Sequence, residues 1–152
     1  MPARPLTQVA VGILQRADGQ VLFAQRPAGK PYAGYWEFPG GKIEPGESAN
    51  AALVRELQEE LGVRVTAATP WIIQRHVYPH AHVELRFFRV TGWDGDIHPQ
   101  EEQQVAWQVP GEYTVAPMLP ALLSADCQVL SGLLEEARHG SLSRADAQAL
   151  DD

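Results

Sequence analysis

Three glutamates in one predicted helix are the side chains of this sequence best placed to do chemistry. Glu56, Glu59 and Glu60 occupy positions i, i+3 and i+4, which share one face of an α-helix. Like charges at these spacings repel, and each pair destabilises an isolated helix by a few tenths of a kcal/mol. A hard divalent cation offsets that repulsion, because Mg²⁺ takes oxygen ligands and shares them with substrate phosphates. The spacing therefore predicts a magnesium site, with a solvated acidic face as the alternative interpretation.

The helix that must position these acids is predicted from Ser48 to Leu61. Ser48 is a suitable N-cap, and Gly62 is the residue type that ends helices in the left-handed conformation. Leucines recur every four residues from Leu53 to Leu61 and form an apolar stripe beside the acids. Arg55 lies four residues before Glu59, a spacing at which the two side chains can pair, and Glu47 is another candidate partner of this arginine.

The remaining elements follow one another in an irregular order. The predicted strands cover residues 7–14, 20–25, 35–38, 63–77, 82–93 and 103–109. The first two are separated by a turn signal and are expected to form a hairpin. A second helix is predicted from Pro120 to His139. This irregular alternation of strands and helices favours an α+β or layered αβα domain over a doubly wound sheet.

Length and composition limit the classes of function. The 152 residues are room for one domain, predicted over residues 1–140 and followed by a loosely ordered polar tail over residues 141–152. The net charge of -7 argues against binding to a nucleic-acid polymer, where basic surface supplies most of the affinity. No apolar run approaches the ~20 residues of a membrane span. Cys127 is the only cysteine, which indicates a reducing compartment. We expect a cytoplasmic protein, monomeric or homodimeric, that contacts no membrane.

A spaced set of residues around the helix resembles the signature of a known family. It consists of Gly41, five residues, Glu47, seven residues and then Arg55-Glu-Leu-Gln-Glu-Glu-Leu-Gly-Val63. This segment resembles, without a gap, the box of the Nudix hydrolases. With average residue usage, the chance of such a match is on the order of one in a billion per position. The resemblance extends from Ala24 to about Val109 and points to the MutT branch, which hydrolyses oxidised nucleotides, and to its relatives that hydrolyse pyrimidine triphosphates.

The resemblance implies a fold, an activity and a role for each matching residue. Nudix proteins hydrolyse a nucleoside diphosphate linked to another moiety, with Mg²⁺ or Mn²⁺, in an αβα sandwich around a mixed sheet. The implied metal ligands are Glu56, Glu59, Glu60 and the Gly40 carbonyl. The residues implied to shape the motif and its ligand geometry are Gly41, Glu47, Arg55 and Gly62.

MutT-type enzymes also place a carboxylate from a later loop at the metal cluster. Glu101, eight residues after Trp93, is the best match here, and Glu102 is the alternative. In-line hydrolysis of a phosphate chain needs a general base that takes a proton from the attacking water. Glu56 and Glu101 are both candidates for that base, and the sequence leaves the choice open.

The resemblance also suggests residues that contact substrate. It places Arg26 at the phosphates, where the alternative is an ordinary surface charge. Phe38 is a candidate wall of the base pocket, and Trp36 a weaker one; aromatic residues in a short strand otherwise belong to the core. His76, His80 and His82 lie close in sequence, but solvent-facing histidines are preferred over a zinc site because no cysteine accompanies them.

The base-reading position departs from the MutT pattern. MutT-type enzymes carry an asparagine in a Pro-Ala-Asn segment, and the cytidine-preferring relatives carry aspartate there. An ungapped match puts Leu122 at that position, and allowing four extra residues puts Asp126 there instead. Ala81 occupies the place of the pocket's arginine. Because leucine cannot offer the paired donor and acceptor of an amide, we expect 8-oxo-dGTP to be accepted with only a weak preference over dGTP.

These observations predict a Mg²⁺-dependent pyrophosphohydrolase that converts a nucleoside triphosphate to its monophosphate and pyrophosphate. Oxidised purine triphosphates such as 8-oxo-dGTP are the first candidate substrates, and CTP or dCTP the second. The alternative from another class is a module that binds a nucleotide without cleaving it. Such modules typically lose one or more acids of the box, and none is missing here. Cys127 is expected in the second helix, with a structural role.

Overall fold

Seven strands and three helices make up the part of the chain described by the computed structural model, which comprises residues 5–101 and 103–139. The strands are β1 (Leu6–Leu14), β2 (Val21–Gln25), β3 (Trp36–Glu37), β4 (Gly40–Lys42), β5 (Arg64–Val77), β6 (His82–Asp94) and β7 (Val105–Gln108). The helices are α1 (Ala49–Leu61), α2 (Pro120–Leu123) and α3 (129–139).

The strands form one mixed and one antiparallel sheet. The four-stranded sheet has the order β4-β1-β6-β5, in which β1 runs parallel to β6 and the other neighbours are antiparallel. The three-stranded sheet has the order β3-β2-β7 and is antiparallel throughout. A mixed sheet with few helices confirms the predicted α+β class.

Helix α1 begins and ends where the sequence predicts. The Ser48 hydroxyl accepts a hydrogen bond from the Ala51 N–H at 3.0 Å. Gly62 adopts the left-handed conformation, with φ at 70°, and its N–H donates to the Gln58 carbonyl at 3.0 Å. The leucine stripe is fully buried, and its side chains pack on Gly12 of β1, where an added Cβ would press on them. This packing sets the rotation of the helix and hence the direction of its acids.

The prediction that the first two strands form a hairpin is wrong, because only a single bridge joins them. Gln15 and Val21 form an antiparallel bridge, after which β1 and β2 enter different sheets. Both edges of β1 are occupied, one by β4 and the other by β6. A central strand with two partners has no free edge left for a third, so β2 pairs with β3 and β7 instead.

The predicted helix from Pro120 to His139 is wrong as one element, because the chain forms two helices there. Ser124 is extended, with φ at -59° and ψ at 139°. Its carbonyl accepts a hydrogen bond from the Cys127 N–H at 3.0 Å, which closes a turn before α3. Ser124 and Asp126 favour such turns, because their short polar side chains compete with helical hydrogen bonds. Cys127 therefore lies half-buried in the connection.

Some predictions concern residues that the structure does not describe, namely residues 1–4, Glu102 and residues 140–152. They include the alternative acid of the late loop and the predicted polar tail. Within the described part of the chain, none of the helices has the length and apolar character needed to cross a membrane.

Candidate active site

A cavity of about 600 Å³ lies where β1, β3, β4, β6 and α1 meet, a size common for small-molecule sites. Two groups of its lining residues differ in chemistry. The group that we call the acid wall consists of Glu37, Glu56 and Glu60. The group that we call the apolar wall consists of Phe38, Leu85, Phe87, Leu119 and Leu122. The cavity thus offers one charged and one apolar surface to the same ligand.

Glu60 is held in the acid wall by the backbone of β4. The Gly40 N–H donates a hydrogen bond to Glu60 Oε2 at 3.1 Å. Burial raises the pKa of Glu60 to about 8; the hydrogen bond opposes this rise, and the charges of Glu56, Glu37 and Glu101 add to it. Several carboxylates therefore act on one desolvated acid, an arrangement that a bound cation would relieve.

Arg55 organises the acids around the start of α1. Its guanidinium donates to both carboxylate oxygens of Glu47, at 2.8 and 2.9 Å, and to Glu56 Oε1 at 2.9 Å. It also donates to the Lys42 carbonyl at 3.0 Å and makes the predicted contact with Glu59 at 3.4 Å. The hydrogen bonds from Arg55 are the main reason that the pKa of Glu47 falls to about 2. Arg55 thereby ties the loop before the helix to Glu56.

Two glycines allow the β4 backbone to approach these acids. A Cβ at Gly41 would overlap the carboxylate of Glu56. A Cβ at Gly40 would overlap the carbonyl of Ala10 in the neighbouring strand. Residues 40 and 41 therefore cannot carry side chains without displacing either an acid of the cavity or strand β1.

The oxygen donors of the acid wall fit a hard divalent cation, which prefers carboxylate and carbonyl ligands. Glu56 and Glu60 are the side chains that would hold it, with the adjacent Gly40 carbonyl. Glu59 is 56% exposed and does not line the cavity. In residues 5–101 and 103–139, no three His, Cys, Asp or Glu side chains already stand close enough to ligate one ion. In this arrangement Arg55, rather than a cation, forms hydrogen bonds with Glu56 and Glu59.

Glu101 lies on the loop before β7, at the edge of the site. Its Oε2 is 3.8 Å from Lys30 Nζ, and its backbone N–H donates to Gln103 Oε1 at 3.0 Å. Its charge contributes to the raised pKa of Glu60, but its side chain does not line the cavity. The structure thus brings this acid near the acid wall without placing it in the wall.

Arg26 lines the cavity and is already paired there. Its Nη1 donates to both carboxylate oxygens of Glu37, at 3.0 and 3.1 Å, and its Nε donates to the Pro31 carbonyl at 2.7 Å. Burial raises the pKa of Glu37, and Arg26 opposes that rise. The sequence analysis missed Glu37; a charged residue between the predicted core aromatics Trp36 and Phe38 was the available signal.

Phe38 and Leu122 lie in the apolar wall, and Asp126 does not. Phe38 is 3% exposed, so it belongs both to the core and to the cavity, and its ring stacks on Phe23 at 4.5 Å. Leu122 is 4% exposed. Asp126 is exposed in the connection between α2 and α3 and is not part of the cavity lining. Ala81 lines the cavity, as the match to the pocket's arginine position requires.

The histidines near Pro79 pack around a tyrosine. The rings of His76 and His80 lie 4.5 and 5.4 Å from the ring of Tyr78, which is buried. His80 is exposed, as predicted, but it lines the cavity together with Tyr78. No set of three possible metal-binding side chains is found here or elsewhere among the described residues. Sequence reasoning missed Tyr78, because only the folded chain brings it to the cavity.

Comparison with known proteins identifies a family. The family profile described as NUDIX domain matches residues 6–123. The CTP pyrophosphohydrolase of Escherichia coli (strain K12) is 39% identical over 116 residues, which are 76% of this chain and 85% of the relative. The 8-oxo-dGTP diphosphatase of Proteus vulgaris is 43% identical over 89 residues, which are 59% of this chain and 80% of the relative.

Solved structures agree with the sequence comparison. A MutT structure from a study of Aliivibrio salmonicida and Vibrio cholerae superimposes with a TM-score of 0.70 at 32% identity, covering 87% of this chain and 99% of that one. The solution structure of the Escherichia coli ORF135 protein gives a TM-score of 0.66 at 33% identity, covering 95% and 98%. The complete acid box, the mixed sheet and these matches lead to one conclusion: the chain belongs to the Nudix family, as a Nudix hydrolase of the MutT-like branch.

Proposed function

We propose that this Nudix hydrolase is a pyrophosphohydrolase that cleaves a nucleoside triphosphate to the monophosphate and pyrophosphate. The observation that carries the proposal is the presence of the acid wall and the apolar wall in one cavity of about 600 Å³. A phosphate chain suits the acid wall when a cation lies between them, and a nucleobase suits the apolar wall. A ligand with only one of these parts would leave the other wall unused.

The cofactor that we propose is Mg²⁺, with Mn²⁺ as the alternative. When bound, such an ion neutralises charge on the phosphate oxygens. Glu56, Glu60 and the Gly40 carbonyl would hold it, with Glu59 and Glu101 as additional ligands from the rim. Arg55 keeps the Glu56 carboxylate oriented by its hydrogen bond of 2.9 Å. Arg26, which lines the same cavity, is the proposed phosphate contact.

Glu56 is the general base that we favour. It lines the cavity and is largely buried, whereas Glu101 is 43% exposed and lies at the edge. Its hydrogen bond with Arg55 holds the carboxylate in the cavity, where it could accept a proton from an attacking water. Glu101 remains the alternative base.

Oxidised purine triphosphates, with 8-oxo-dGTP first, are the proposed substrates. Support comes from the relatives named 8-oxo-dGTP diphosphatase. A specific observation also favours a second candidate, CTP or dCTP, because the Escherichia coli relative that shares 39% identity is named for CTP. Leu122 in the apolar wall offers no hydrogen-bonding group to either base.

The test is a substrate panel with Mg²⁺ and, separately, with Mn²⁺, in which both phosphate-containing products are identified. We expect monophosphate and pyrophosphate from 8-oxo-dGTP, dGTP and dCTP, with none of these products when the metal is chelated. Release of inorganic phosphate instead of pyrophosphate would contradict the proposal. So would activity confined to sugar nucleotides or dinucleotide polyphosphates.

A further inference from the structure

The lining of the cavity includes a set of rings that the chemistry of the box does not use. Tyr32, from the loop between β2 and β3, lies 5.3 Å from the ring of Tyr78 and 6.0 Å from that of His80. The rings of Tyr78 and His80 stack at 5.4 Å with 28° between their planes. All three line the cavity. Two segments distant in sequence therefore meet at the cavity through aromatic contacts.

The buried ring of this set holds the exposed ones in position. Tyr78 is 6% exposed, and its hydroxyl accepts a hydrogen bond from the Ala121 N–H of α2 at 3.2 Å. That bond joins the β5–β6 turn to the residue next to Leu122. Tyr32 and His80 pack on Tyr78 but keep more of their own surface accessible. Of the three rings, these two therefore keep the more accessible surface for a ligand.

Tyr32 adopts an unusual backbone conformation. Its φ of 59° lies in the left-handed region, which an L residue with a bulky side chain rarely occupies. Two turn hydrogen bonds hold it there, from the Ala33 N–H to the Lys30 carbonyl and from the Tyr35 N–H to the Tyr32 carbonyl. Residues held in such conformations concentrate at ligand sites, because the surrounding contacts must compensate for the strain.

The neighbouring apolar wall favours stacking as a way to hold a base. Leu119 and Leu122 line the cavity, and neither donates nor accepts a hydrogen bond through its side chain. Aromatic rings attract any nucleobase, because every base has a π-face. Recognition by the face depends on the area of the base rather than on the pattern of groups along its edge.

We propose that Tyr32 and His80 form a stacking surface for the nucleobase, with Tyr78 as the residue that positions them. This inference rests on the proposed function, since it assigns the base of the same nucleotide. The surface discriminates by size, so it favours purines over pyrimidines. It does not distinguish 8-oxo-dGTP from dGTP, because the two have nearly the same face area.

The test uses the full-length protein and two independent readouts. The first is the Kd of dGMP by titration calorimetry, which requires no turnover. The second is kcat and KM for dGTP, 8-oxo-dGTP and dCTP, together with the inhibition constant of pyrophosphate, which has no base. The variants are Tyr32→Ala, Tyr32→Phe and His80→Ala. His76→Ala is the matched control, because His76 contacts the same Tyr78 ring but does not line the cavity.

Stacking predicts that Tyr32→Ala and His80→Ala each raise the Kd of dGMP and the KM of dGTP about tenfold. The rise for 8-oxo-dGTP should equal that for dGTP, and the rise for dCTP should be smaller. We expect kcat and the inhibition constant of pyrophosphate to change less than about twofold. Tyr32→Phe, which keeps the ring, should restore most of the dGMP affinity that Tyr32→Ala loses, and His76→Ala should behave as the unmodified protein does.

Three outcomes overturn the inference. The first is an unchanged Kd for dGMP in both alanine variants, or no dGMP binding by the unmodified protein. The second is a rise in the pyrophosphate constant parallel to that of dGTP, which indicates a general disturbance of the site. The third is an equal loss in His76→Ala. If the unmodified protein binds dGMP but cleaves no triphosphate, the proposed function fails while the calorimetry still decides the stacking surface.

Discussion

The acid wall and the apolar wall of the cavity are assembled in different ways. Glu56 and Glu60 stand one turn apart on α1, and Arg55 and Glu47, which support them, belong to the same short segment. The apolar wall instead takes its residues from the segment after β3, from β6 and from the region of α2, which are far apart in the chain. A local segment can carry the reaction chemistry, whereas selection of the base depends on the whole fold.

The two walls also differ in how much change they should tolerate. The acids lie among charged side chains and glycines in fixed positions. Replacing one carboxylate oxygen by an amide nitrogen therefore directly changes the ability of the site to hold a cation. The apolar wall is built from packed hydrocarbon and aromatic surface, where a substitution changes shape and area by degrees.

Neutralising an acid of the helix should have the largest effect. We expect Glu60→Gln and Glu59→Gln to lower kcat by at least about 100-fold, because each removes a proposed cation ligand. The melting temperature should change little, because Glu59 is exposed and because burial and neighbouring acids already disfavour an ionised carboxylate at position 60. The measurement is steady-state kinetics with Mg²⁺ alongside thermal unfolding.

Glu112→Gln is the control for that pair, because Glu112 is exposed and lies outside the cavity lining. It should keep nearly full activity. In the unmodified protein, added Mg²⁺ should raise the melting temperature by binding the folded state, and the rise should shrink in Glu60→Gln. Substantial activity in both acid variants would contradict the metal assignment.

Gly41→Ala should separate activity from stability. The added methyl group overlaps the flexible carboxylate of Glu56, which must then move away. We expect kcat to fall by about 10- to 100-fold, since misplacing a catalytic group by about 1 Å has effects of this order. The free energy of unfolding should change little, because the displaced atoms are the end of a side chain.

Ser48→Ala is the matched opposite of Gly41→Ala. It removes the N-cap hydrogen bond of α1 and should lower the free energy of unfolding by about 1 kcal/mol, with activity retained at low temperature. If Gly41→Ala and Ser48→Ala each lowered both activity and stability to the same extent, the helix start and the acid wall would not act independently.

In the apolar wall, Leu122→Asn should change the preference between bases. A buried amide facing the base can form hydrogen bonds that leucine cannot, so we expect the ratio of kcat/KM for 8-oxo-dGTP over dGTP to rise about tenfold. Asp126→Ala is the control and should leave the ratio unchanged, because Asp126 is exposed and outside the cavity lining.

The same kinetics also test the native pocket. We expect the unmodified protein to accept 8-oxo-dGTP with only a weak preference over dGTP. A thousandfold native preference that persists in both variants would show that a group other than residue 122 reads the base edge.

The smallest expected effect on activity comes from Glu84 of β6, the strand that also supplies Leu85 and Phe87 to the apolar wall. Glu84 is 4% exposed and bonds Arg86, Gln8 and Arg75, each at 3.0 Å. Its pKa is lowered, mainly by the hydrogen bonds from Arg86 and Gln8. A lowered folded-state pKa gives stability that is fully present above the unfolded value of about 4.3 and is lost as pH falls through the folded value.

Glu84→Gln should therefore lower the free energy of unfolding by about 1–2 kcal/mol at pH 7, and this difference should shrink as the pH falls below about 4. Urea unfolding at a series of pH values measures it. Glu112→Gln, at an exposed position, is the control and should change stability by less than about 0.5 kcal/mol at any pH. A pH-independent loss in Glu84→Gln would mean that packing, not charge, stabilises this position.

Much of the acid wall could be predicted from the sequence. The i, i+3 and i+4 spacing, the Ser48 cap and the Gly62 stop depend on hydrogen bonds between residues close in the chain, so the pattern of residue types specifies them. Glu59 and Glu47 are the two candidate partners that the spacing gives Arg55, and the structure shows both contacts, at 3.4 and 2.8 Å. The one acid of this wall that the sequence did not predict, Glu37, comes from a different element.

The features that no local segment specifies depend on competition between distant partners. Strand β1 gains β4 and β6 rather than the expected hairpin partner, because its two edges can be occupied only once. Tyr32 meets His80, and Leu122 rather than Asp126 enters the cavity, through contacts between segments far apart in sequence. Local spacing determines which groups can do chemistry, since helix geometry repeats; the shape that selects a base arises from burial and desolvation, which no single segment controls.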